Sequence, residues 1–119
     1  MYKLPESFDG KFLVGRVFEQ VCFNQNQIYL HFDSDVHIII ESSFSHQYSE
    51  FEKDYKVINV PVLESDIMQL LGSSILKVCG DKEGTLCLFF DNGHILRCYD
   101  NSTQYESYQI QHGKTLIIV

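Results

Sequence analysis

The side chains of this sequence best suited to metal ligation or nucleophilic attack are five histidines, at positions 31, 37, 46, 94 and 112, and four cysteines, at 22, 79, 87 and 98. Metal centres commonly draw paired ligands from short spacings such as C-x-x-C or H-x-x-x-H, which bring two donors to one ion. Neither spacing occurs, so no metal site and no cofactor are expected. A G-x-S-x-G elbow, a Cys–His arrangement or a glycine-rich phosphate loop after a strand would each indicate catalysis, and none is recognisable. Asp33 and Asp35 could in principle share acid–base work, but in a hairpin turn they are expected to be solvated turn formers. His37 and His94 follow the turns and are expected to be tied to the nearby Asp33 or Asp91. On these grounds the chain is not expected to be an enzyme.

The elements that hold these residues repeat. Sliding the sequence on itself by 57 positions carries Leu13 onto Leu70, Gly15 onto Gly72, Cys22 onto Cys79, Phe32 onto Phe89 and His37 onto His94. Further on, Ser45, Gln47, Tyr48 and Phe51 fall on Ser102, Gln104, Tyr105 and Tyr108. We therefore expect one domain over residues 1–119, built from internal repeats 4–60 and 62–119. In the second copy, Glu64 to Leu71 carries apolar residues at helical spacing and is followed by Gly72, which predicts a short amphipathic helix. The first copy has a frayed counterpart over Phe8–Val14.

Thr85–Phe90 and His94 onward flank Asp91-Asn92-Gly93, and Asn-Gly between apolar runs predicts a two-residue hairpin turn. That register sets Phe90 opposite Ile95 and Cys87 opposite Cys98. A Cys87–Cys98 disulfide is sterically admissible there, yet all four cysteines are expected to be free thiols in a reducing compartment. Each copy ends in two more short strands. The expected class is α+β, mostly β: a tandem pseudo-twofold repeat of a helix-plus-meander unit, with antiparallel sheets and one or two short helices.

Sixteen acids against nine bases leave a net charge of −7. Such a surface repels phosphate, and no basic patch offsets it, so no direct nucleic-acid binding is expected. A basic protein partner is favoured instead, because complementary charge speeds association. Acids concentrate in the first copy. Asp33, Asp35, Glu41, Glu50, Glu52 and Asp54, with Tyr48 as an aromatic anchor, are the candidate partner-binding residues. The longest apolar runs are far too short to cross a membrane, and the N-terminal Met-Tyr-Lys-Leu-Pro-Glu-Ser lacks a signal-peptide core. A cytoplasmic protein is expected.

The stretch from Thr85 to Leu96, together with Tyr105-Glu106-Ser107-Tyr108-x-Ile110 and the closing Ile117-Ile118-Val119, resembles a pattern in small bacterial proteins. These include immunity proteins of contact-dependent and polymorphic toxin systems. The resemblance implies a small acidic inhibitor that occludes the active site of a cognate toxin, a nuclease among the candidates. It carries over no individual binding residue, and the first copy departs from the pattern at Asp33-Ser34-Asp35-Val36. The alternative is a structural or regulatory module that self-associates, as a homodimer for example, through apolar hairpins.

Overall fold

The computed structural model describes residues 3–102 and 106–119. Gln104 and Tyr105, two of the repeat-matched residues, lie outside them. The described residues form ten strands: β1 Phe18–Phe23, β2 Ile28–Phe32, β3 Val36–Ile40, β4 Ser43–Gln47, β5 Val57–Asn59, β6 Ile75–Gly80, β7 Leu86–Phe90, β8 Ile95–Tyr99, β9 Tyr108–His112 and β10 Thr115–Ile118. All pairings are antiparallel, in two five-stranded sheets ordered β1-β2-β3-β9-β10 and β5-β4-β8-β7-β6. Alternation explains the layering. In β2 and β7 every second residue is buried, Ile28, Leu30 and Phe32 in one and Leu86, Leu88 and Phe90 in the other. These side chains meet Ile38, Phe44, Leu96, Tyr108 and Ile110 in a single core drawn from both sheets.

The protein is thus mostly β, and the expected α+β class overstates its helix content. Among the described residues, helix is confined to two four-residue 3-10 turns, Gly10–Leu13 and Ile67–Leu70. The helix expected over Glu64–Leu71 is cut short for a physical reason. Leu71 is already extended, at φ −58 and ψ 131. Gly72, at φ 86, then turns its N–H onto the Phe18 carbonyl at 2.8 Å.

That bond belongs to a seam between the sheets. Phe18 N–H donates to Ser73 O at 2.9 Å, Gly15 N–H to Ile75 O at 2.7 Å and Ile75 N–H to Arg16 O at 3.0 Å, around the antiparallel bridge Val17–Ser74. Asp33 and Asp91 brace the same bridge from either side, their carboxylates accepting from Val17 N–H at 2.8 Å and Ser74 N–H at 3.1 Å.

The hairpins also differ from expectation. Phe90 N–H donates to His94 O at 2.9 Å, so the loop is Asp91-Asn92-Gly93, three residues with only Gly93 left-handed at φ 90. Asp91 is drawn out of the ladder because its own N–H and carboxylate both engage Ser74. The pairing consequently slips by one: Phe89 faces Ile95, Cys87 faces Arg97, and Cys98 faces Leu86. A Cys87–Cys98 disulfide is therefore ruled out by register, and all four cysteines are free.

Connectivity departs from expectation as well. Each half does not close its own meander. The β9–β10 hairpin completes the sheet begun by β1–β3, while β4–β5 completes that of β6–β8. The recurring Gln-Tyr-x-x-aromatic spacing accordingly does not mark equivalent places: Phe51 is 80% exposed in a loop, whereas Tyr108 is fully buried in β9. There its hydroxyl donates to Gly84 O at 2.6 Å. No helix among the described residues is long and apolar enough to cross a membrane.

Candidate functional site

The seven candidate residues separate into three groups. Asp33 is committed to the seam, with Arg16 Nη1 3.9 Å from its carboxylate. Asp35, left-handed at φ 58, holds His37 Nε2 at 2.9 Å. His37 is thus tied to Asp35 and not to Asp33, and its Nδ1 lies 2.8 Å from His31 Nδ1 directly across β2. Glu41 follows the opposite end of β3, where it accepts from Gln27 Nε2 at 2.9 Å and Gln109 Nε2 at 3.1 Å. Tyr48, Glu50, Glu52 and Asp54 form the third group, in the connection from β4 to β5.

This third group adjoins a site that sequence reasoning did not assemble. His46, near the end of β4, is 8% exposed, and its Nε2 lies 2.8 Å from His94 Nδ1. His94 was expected to pair with Asp91. The slipped hairpin instead aims it across the sheet at His46. Tyr48 stacks on the His94 ring with centroids 4.9 Å apart and planes 10° from parallel, and lies 4.9 Å from the His46 ring. Its hydroxyl donates to Asp66, which directly precedes the Ile67–Leu70 turn. Beside this group an open cleft of about 390 Å³ is lined by Glu52, Lys56, Glu64 and Asp66 together with His46 and Tyr48.

Electrostatics define what the cleft can do. Burial, reinforced by the neighbouring His94, pulls the His46 pKa down to about 4 against the pull of Asp66. At neutral pH the two rings are therefore bridged by one N–H, with His46 neutral. The hydrogen bond to Asp66 raises the Tyr48 phenol, so it remains a donor. Three carboxylates against one ammonium suit the cleft to a cationic group.

Hydrophobic side chains flank the acids. Phe51 beside Glu52 is 80% exposed and Leu63 beside Glu64 is 95% exposed. Leu63 also borders a shallow cleft with Phe23, Val62 and Met68. Local charge alone marked Glu50, Glu52 and Asp54. His46, Glu64 and Asp66 carried no such signal, because Glu64–Asp66 read as a helix start and only the tertiary fold brings it to β4. Among the described residues no group of three or more metal-ligating side chains converges. In comparisons with known proteins, the model of a family of unknown function (DUF6188) matches residues 11–119. No curated protein and no solved structure matches the chain.

Proposed function

Because the chain belongs to DUF6188, a family of unknown function, its activity has to be argued from its own surface, and we propose that it is a non-catalytic, immunity-type protein. It binds a basic bacterial toxin domain in the cytoplasm and occludes that domain's active site, a phosphate-binding nuclease site being the best match to its charge. The observation that carries this reading is the acidic and aromatic rim of the β4–β5 connection. Glu52 lines the cleft with Tyr48, Glu64 and Asp66, and the exposed Glu50, Phe51 and Asp54 flank it along the chain. Interfaces of this type pair apolar and aromatic anchors with charges that steer encounter. The acidic composition and the resemblance to immunity proteins support the same reading.

The test is a pull-down with the product of a toxin gene adjacent to this one. Capture at micromolar concentration is expected, with protection against the toxin. The triple variant Glu50→Lys/Glu52→Lys/Asp54→Lys should bind at least about tenfold more weakly, mostly through slower association. Wild-type protein that neither binds nor protects would overturn the reading.

One observation favours self-association as a second reading. β10 is a sheet edge, and its Leu116 and Ile118 are 48% and 39% exposed. Sedimentation at micromolar concentration separates the two, since a stable dimer is required only here.

A further inference from the structure

The corrected register brings two cysteines together that the sequence kept apart. In the β6–β7 pairing Cys79 lies directly opposite Cys87. Two residues further along the same ladder, Asp81 N–H donates to Thr85 O at 3.2 Å. Antiparallel pairs alternate with period two, so Cys79 and Cys87 also form a hydrogen-bonded pair, with Cα atoms about 5.5 Å apart. Disulfides span Cα separations of about 4.4–6.8 Å. Both side chains are half-buried. They lie on the outer face of their sheet, since Leu86, Leu88 and Cys98 on the alternate positions are the fully buried ones.

The other two cysteines have no such partner: Cys98 faces Leu86 in the core, and Cys22 faces Tyr29 on the other sheet. β6 is an edge strand, held by β7 on one side, so Cys79 can shift without disturbing a second ladder. Arg97, opposite Cys87 on β8, and Lys77 favour the Cys87 thiolate, against the burial that raises that thiol.

We propose that Cys79 and Cys87 form a reversible dithiol–disulfide couple, oxidised by a small-molecule disulfide of the glutathione type. The Cys79 thiolate attacks one sulfur of the oxidant, forming a mixed disulfide and releasing one glutathione thiolate. Cys87 then loses its proton and attacks the Cys79 sulfur, expelling the second glutathione. Two protein thiols are oxidised, and one glutathione disulfide is reduced to two thiols. The cross-link closes the 80–86 turn and clamps the edge strand to β7.

The test equilibrates the full chain across a series of reduced and oxidised glutathione mixtures, quenches by alkylation, counts thiols under denaturing conditions and maps peptides by mass spectrometry. Oxidising mixtures should lower the count from four thiols per chain to two, with a Cys79–Cys87 cross-linked peptide that excess reductant reverses. In Cys79→Ser and Cys87→Ser the remaining cysteine should stop at a mixed disulfide with glutathione. A wild-type chain that keeps four thiols, accumulates mixed disulfides without the cross-link, or links Cys22 or Cys98 instead overturns the proposal. This readout needs only the wild-type chain.

Discussion

Acidification from pH 7 to pH 4 will destabilise this protein by about 3 kcal/mol through His46 alone. His46 is held near pKa 4 in the fold by burial and by His94, against a reference value of 6.5 in the unfolded chain. Between those values the unfolded chain binds the proton more readily than the native state does. Stability is therefore complete above pH 6.5 and is lost as pH falls through the window down to 4, at about 1.4 kcal/mol per pH unit of difference. The geometry agrees in sign. With both rings protonated, two N–H donors would face one another across 2.8 Å. His31, lowered by burial and by His37, pushes in the same direction. Urea unfolding at pH 7, 6, 5 and 4 measures the slope. His46→Gln should be less stable at pH 7 and lose most of the fall between pH 6.5 and 4. A wild-type curve flat over that window, or an unchanged slope in the variant, would contradict this account.

A larger loss is expected at the seam. Phe18 is fully buried, its ring stacks on Phe32 with centroids 5.2 Å apart, and its backbone joins the two sheets through Ser73 and Gly72. Phe18→Ala removes the ring from the place where neither sheet can close over the void without breaking those bonds. A cost of about 3–5 kcal/mol follows, against a total of about 5–15 kcal/mol for a domain. Phe51→Ala, on the exposed loop, should change stability by less than about 0.5 kcal/mol. Urea midpoints of the two variants provide the comparison, and similar losses in both would contradict this assignment of the core.

The outcome shows what local patterning can and cannot determine. The β7 strand was legible as the apolar run Thr85–Phe90 ahead of a turn signal, but which of its faces meets the core was not. Asn92-Gly93 marked a hairpin, yet the loop length depended on Asp91 engaging Ser74, a residue seventeen positions earlier that belongs to the seam. The Glu64–Leu71 spacing fitted a helix, and the same seam pulled Leu71 and Gly72 out after a single turn. Nothing local states which sheet a strand joins, so the crossing of β4–β5 and β9–β10 was invisible. The same limit governed the site. Charge density singled out Glu50, Glu52 and Asp54, which the structure places in the β4–β5 connection. Asp33 was chosen on the same criterion and proved to brace the fold, with Asp91 as its counterpart.

The exchange of hairpins between the halves bears on how the chain acquires its structure. The first sheet needs β9 and β10 beside strands that precede them by some seventy residues, so most of its closure entropy falls due before the contacts that offset it can form. Topologies dominated by such distant pairings fold on the millisecond-to-second scale. During synthesis β3 would emerge as an unpaired edge and stay so until the distal hairpin left the ribosome, leaving Ile38 and Ile40 exposed to neighbouring chains. A half-length fragment would carry the same open edge permanently, with β4–β5 lacking their host sheet. Two such fragments could satisfy one another only by associating, as the halves of the intact chain already do.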